Sequence, residues 1–359
     1  MKKSAEQCLI LALSVQRISY LRPDEKLLLW DLVDDELSLS LLLYRDVEAA
    51  IGRSLGGRPW SPDSFLEAAL RDARFLERSG CRFIHYDENA YPSSLRETCR
   101  PPFGLFARGA DLDPAADRVA VVGTRLPTGK AMTVAFDLAR GLSAAGVDVV
   151  SGLARGIDAA AHRGALSARP TADSMVLRGV ASVPGATCAV LPCGIDRVYP
   201  PSNRRLAAEI LDRGGLLLSE YPPGEEIRKY RFPERNRIIA GMARSCVVVE
   251  APAKSGALIT ADHALDEGRD VWVPAACLGG SRSAGADKLA ADGARVLIEA
   301  GDIIDDWTGA GSGARVVPRA TGGERLQRRG TRSDRVGEGG RPISTAGDEL
   351  AFGEASVKH

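Results

Sequence analysis

RVAVVGTRLPTG, residues 118–129, moves from an unbroken apolar run to a glycine, a hydroxyl, a cation and a proline. VAVV has no polar alternation, so a strand built from it must be covered on both faces. Gly123 suits a tight turn, and Pro127 suits the opening of a helix. Ala-rich sequence then runs to about residue 145. The unit reads as strand, turn, helix, and it recurs. Apolar runs stand at 119–123, 147–152, 187–194, 216–220, 246–251 and 270–274. Helical candidates lie near 128–145, 157–167, 203–213, 234–243, 257–268 and 285–293, and a last strand, ARVLIEA, precedes GDIIDDW. Such alternation predicts an α/β fold, a doubly wound parallel sheet with right-handed crossovers.

Outward from this core the composition changes. Residues 1–78 are Leu-rich without strand alternation and read as an N-terminal helical domain. Residues 79–117 read as a connector carrying a short strand, a Tyr-Pro turn, a Pro-Pro pair and the strand-like FGLFARG. The core spans 118–308. Residues 309–359 read as a Gly/Arg-rich disordered tail, with eight arginines against three acids between 309 and 342. The stretch 167–186 interrupts a helix-to-strand connection and reads as a surface loop.

Apolar residues make up 45% of the 359, and charged residues 26%, which fits a soluble globular chain with a real core. The formal net charge is zero, so an anionic partner must be met by a local patch. Seven cysteines without a CxxC pair suit reduced thiols in the cytoplasm. Four histidines show no ligand spacing, so no metal is expected. The apolar segment from Cys8 to Val15 is too short to span a membrane.

Ligands of open α/β sheets bind beyond the carboxyl ends of the strands. Those ends carry Gly123, Thr124 and Arg125; Ser151, Gly152 and Arg155; and Lys254, Ser255 and Gly256. RFPERNRIIAGMA, residues 231–243, adds Phe232, Arg235, Asn236 and Arg237 at the opening of a helix, where cations are mildly unfavourable. Free amides at helix starts, glycines and cations favour an anion, and an aromatic beside arginines suits single-stranded nucleic acid. Taken singly, each has an ordinary reading. Thr124 and Ser255 could cap helices, Arg155 could pair with Asp158, Arg237 with Glu234, and Phe232 could tuck onto the core. The coincidence of four loops on one sheet edge outweighs them. GxxxxGK[ST] is absent, and GTRLPTG is not GxGxxG. Glu220 and Glu250 end neighbouring runs. They are read as holding Arg235, Arg237 or Lys254 in place, with acid–base chemistry in a nucleotide hydrolase as the alternative. Cys193 has no histidine near it in sequence and is discounted as a nucleophile. A third reading is a protein-binding scaffold acting through the N-terminal helices.

Together, VAVVGTR, VVSGLARGIDAAAHRGAL, CAVLPCGIDRVYPPSN, LLLSEYPPG, FPERNRIIAG, VVVEAPAKSGALITADHALDEGRDVWVP and GADKLAADGA resemble the DNA-processing protein A (DprA/Smf) family. The resemblance covers roughly 118–298, and the N-terminal region is similar in place to the sterile-alpha-motif-like domain of many members. It implies a Rossmann-like core that binds single-stranded DNA without a cofactor and without catalysis. It also implies a homodimer that protects incoming strands and loads a RecA-type recombinase during natural transformation. On this resemblance, backbone amides near Gly123 and Gly256 would hold phosphates, Arg125, Arg235 and Lys254 would supply charge, and Phe232 and Asn236 would contact bases. Ser151, Gly152, Arg155, Arg237 and Ser255 complete the implied pocket. The chain departs from the family pattern at Thr124, Ala243, Ala275 and Asp287, and its tail is too short and Gly/Arg-rich for the winged helix of many members. An Asp287 facing the pocket would weaken binding.

Overall fold

The computed structural model describes residues 5–168 and 187–309. The expectations for most of the 167–186 loop and for the C-terminal tail lie outside them. Five helices open the chain: α1 (Ala5–Arg17), α2 (Pro23–Leu32), α3 (Glu36–Leu41), α4 (Tyr44–Ile51) and α5 (Pro62–Ser79). A hairpin follows, with β1 (Cys81–His85), the short α6 (Ser93–Arg96) and β2 (Gly104–Gly109). Next come β3 (Arg118–Val122), α7 (Gly129–Ala144), β4 (Asp148–Ser151), α8 (Ile157–Leu166), β5 (Thr187–Leu191), α9 (Arg204–Asp212) and β6 (Leu216–Ser219). The last part holds α10 (Arg231–Met242), β7 (Ser245–Val248), α11 (Gly256–Asp266), β8 (Asp270–Pro274), α12 (Ala284–Ala291), β9 (Arg295–Leu297) and α13 (Gly301–Thr308).

Among the described residues the strands form one sheet in the order β1-β2-β6-β5-β4-β3-β7-β8-β9. All pairings from β6 to β9 are parallel. β2 runs antiparallel to both β1 and β6, so the stretch read as a connector extends the main sheet. Alternate residues of the fully buried β3 face opposite layers. Val119 and Val121 pack with α7 and α8, while Ala120 and Val122 pack with α10 and α11. The N-terminal helices share a core with α8, α9 and the β1–β2 edge. This is the doubly wound, Rossmann-like architecture expected from the alternating runs. The strand order reverses at β3, with β4 leaving to one side and β7 to the other. The crevice beyond the carboxyl ends of β3 and β7 is therefore the topological switch point.

Candidate nucleic-acid interface

A cleft of about 510 Å³ opens at that point. Its walls come from Val122–Arg125 after β3, Ala154 and Asp158 after β4, Pro252 and Lys254–Ala257 after β7, and the opening of α10. Arg125 and Lys254 are exposed; among the described residues neither forms a salt bridge, and Arg125 acts on the Asp158 carboxylate only through its charge. The Arg125 guanidinium lies over the Phe232 ring, 5.1 Å from its centroid. Phe232 is half-buried and meets Tyr199 edge to face at 5.7 Å. Ser255 caps α11, its Oγ accepting from the Ala257 amide at 3.3 Å. The positive end of the α11 dipole therefore faces the same space as Lys254. Asn236 donates from Nδ2 to the Gly256 carbonyl at 3.4 Å, joining α10 to α11 across the cleft.

The floor differs from the rim. Arg235 is buried, and its Nη1 donates to the carbonyls of Gly152, at 2.7 Å, and Val190. A Cβ at Gly152 would overlap that guanidinium and push it away from its carbonyls. Burial pulls the Arg235 guanidinium down to about 10. Asp158, also buried, accepts at Oδ2 from the amides of Gly152 and Ala154, each at 3.2 Å. Burial raises its pKa, and the nearby Arg235 charge opposes that rise. The carboxylate on the floor would repel an anion, and the exposed cations on the rim would attract one.

The family model for DNA recombination-mediator protein A matches residues 82–308. The chain belongs to the DNA recombination-mediator protein A family. A Synechocystis relative, Protein Smf, is 42% identical over 211 residues, covering 56% of this chain and 49% of the relative. The chain thus spans about half the length of that relative. The solved structure of DNA processing protein A from Streptococcus pneumoniae superposes with a TM-score of 0.63 at 31% identity, covering 85% of this chain and 99% of that one. DNA processing protein A from Helicobacter pylori, whose structure describes a single-stranded DNA binding mode, matches with a TM-score of 0.53 at 27% identity. That match covers 64% of this chain and 96% of the other.

In this member of the recombination-mediator protein A family, the sequence-derived site divides in two. Gly123, Thr124, Arg125, Phe232, Arg235, Asn236, Lys254, Ser255 and Gly256 line the cleft. Ser151, Gly152, Arg155 and Arg237 do not. The Ser151 hydroxyl is buried and donates to the Val121 carbonyl at 2.7 Å. Gly152 lies behind Arg235. Arg155 turns to Ser202, 3.2 Å from Nε, rather than to Asp158. Arg237 grips both oxygens of Glu220 at 2.5 and 2.7 Å and donates to the Arg100 carbonyl. Arg231 is buried against Glu225 at 2.5 Å and over the Tyr221 ring at 4.3 Å. The crowded cations at the α10 start are thus offset by carboxylates and carbonyls of the protein itself, so the geometry there does not need a phosphate. Arg235 reaches the cleft only as part of its floor. The Thr124 amide is also engaged, donating to the Glu250 carbonyl at 2.7 Å.

The other candidates are also placed. Glu250 is buried, and its carboxylate accepts from the Thr128 amide and hydroxyl, both at 2.9 Å, at the start of α7. With Glu220 held by Arg237, neither carboxylate lines the cleft. Asp287 does not face it either, since it accepts from the Gly279 amide and the Ser283 hydroxyl. Cys193 is buried, and burial pushes its thiol up to about 11, which removes it as a nucleophile at neutral pH. Asp158 was missed as a cleft residue. Its signal was the glycine-rich turn before it, whose free amides call for an acceptor at the next helix start. Among the described residues no group of three or more His, Cys, Asp or Glu could hold a metal ion, and no helix is long and apolar enough to cross a membrane.

Proposed function

We propose that the switch-point cleft holds single-stranded DNA. Phosphates lie against Arg125, Lys254 and the first turn of α11, and a base lies against Phe232. The observation that carries this reading is the convergence of two exposed cations that form no salt bridge among the described residues, a half-buried aromatic and a helix N-terminus on one cleft. The family membership and the single-stranded DNA binding of the Helicobacter pylori neighbour support it. On this reading the protein is a DNA-processing factor and not an enzyme, needs no cofactor, and protects incoming strands. The hand-over to a RecA-type recombinase, the homodimer and the role in natural transformation are proposed on the family resemblance, and the cytoplasmic location on the seven cysteines without a CxxC pair. The hydrolase reading is less well supported, because Glu220 and Glu250 are both engaged outside the cleft.

Fluorescence titration with single- and double-stranded oligonucleotides at two salt concentrations tests this. Tighter binding to the single strand is expected, with log K falling against log salt by ~0.7 per phosphate contacted. Equal affinity for both forms, or salt-independent binding, would remove the reading.

A further inference from the structure

The N-terminal helices are linked to the wall of the cleft through a chain of largely part-buried contacts. At the end of α1, Gln16 donates from Nε2 to the Glu220 carbonyl at 2.5 Å. Next to it, Arg17 donates to the Pro223 carbonyl at 2.9 Å and lies 3.7 Å from Glu225. Arg17 is itself fixed by two bonds to the buried Asp72 of α5. Lys26 of α2, buried, donates to the Gln16 carbonyl at 2.7 Å. Glu220 and Glu225 belong to the loop between β6 and α10, and they are the partners of Arg237 and Arg231. Those two arginines bracket Phe232, Arg235 and Asn236, the α10 residues that line the cleft.

From this juxtaposition, and resting on the single-stranded DNA reading above, we infer that Gln16 and Arg17 are positioning residues for DNA binding. The N-terminal helices hold the 219–226 loop, and the loop sets the seat of α10 and with it the wall carrying Phe232. Neither residue touches the cleft. Their removal changes how well the wall is placed and leaves the number of phosphate contacts unchanged.

The full-length protein is titrated with a fluorescein-labelled oligothymidylate at two salt concentrations as wild type, Arg17→Ala, Gln16→Leu and, as a surface control, Arg45→Ala. Arg17→Ala and Gln16→Leu are expected to bind about five- to tenfold more weakly per folded molecule, a coupling of ordinary size. The salt slope should stay at the wild-type value, and Arg45→Ala should match wild type throughout. Hydrogen exchange of the DNA-free variants should quicken in residues 219–226 and at the first turn of α10. Wild-type affinity in both variants with only a lower folded fraction, or faster exchange confined to α1 and α5, overturns the inference. A reduced salt slope does so too, since it makes the residue a phosphate contact. If the wild type itself binds no single strand, the function proposed above falls first and this inference with it.

Discussion

Arg235 is the residue on which the cleft is assembled. Its guanidinium spans from α10 to the backbone of Gly152 and Val190, 83 and 45 positions away in the chain. Removing it takes a donor from two buried carbonyls and a nearby positive charge from Asp158. Arg235→Ala should therefore cost about 2–5 kcal/mol of stability, read by urea unfolding. Gly152→Ala forces the same guanidinium aside and should destabilise in the same assay. Phe232→Ala acts differently. It removes a stacking surface worth ~1–3 kcal/mol per base, so affinity should drop while the salt slope stays unchanged. A flattened slope in Phe232→Ala would mean that the Arg125 lying over that ring loses its phosphate as well. From sequence, the arginines of RFPERN were legible as a cluster but not as individuals. A guanidinium that meets solvent phosphate and one that meets a distant carbonyl share the same local pattern, and only the tertiary partner decides between them.

Elements were more legible than side chains. Strands β3 to β8 are apolar along their length because helices cover both faces, and that signal survives in single-letter form. In sequence the helix start after β3 reads as Pro127, but Pro127 lies just outside α7 and the cap is Thr128, whose Oγ1 accepts from the Ala131 amide at 3.2 Å. The hairpin β1–β2 was seen as strand-like but not as part of the main sheet. Its place depends on pairing with β6, more than a hundred residues on, which no local pattern encodes. Glu250 belongs to this scale, since its carboxylate serves the N-terminus of α7. Glu250→Gln keeps the shape and removes the charge, so it should cost ~1 kcal/mol in unfolding experiments and leave single-strand binding intact. Nucleotide turnover in the wild type, abolished by Glu250→Gln, would instead restore the hydrolase reading.

For the molecule as a whole, the core sets both the site and the stability. The reversal of strand order at β3 places loops from three strands and the start of α10 around one crevice, which is why a chain of zero net charge can present a local cationic rim. The same burial shapes the acid response. His162 is fully buried beside Thr187, and burial pulls its pKa down to about 3, below the ordinary 6.5. The unfolded chain then binds the extra proton first. The contribution of neutral His162 is complete above about pH 6.5 and is lost as pH falls toward 3. His162→Gln should flatten that part of the stability profile in thermal melts run at about pH 4 and about pH 7, either side of the ordinary histidine pKa.

The most direct measurement is the salt dependence of single-strand affinity for wild type and for Arg125→Ala/Lys254→Ala. Both cations are exposed, so the double variant should fold as the wild type does. With the rim holding two phosphates, the variant should bind more weakly and its slope should shrink by roughly 1.4, twice the single-phosphate value. An unchanged affinity and slope would show that the strand is held elsewhere.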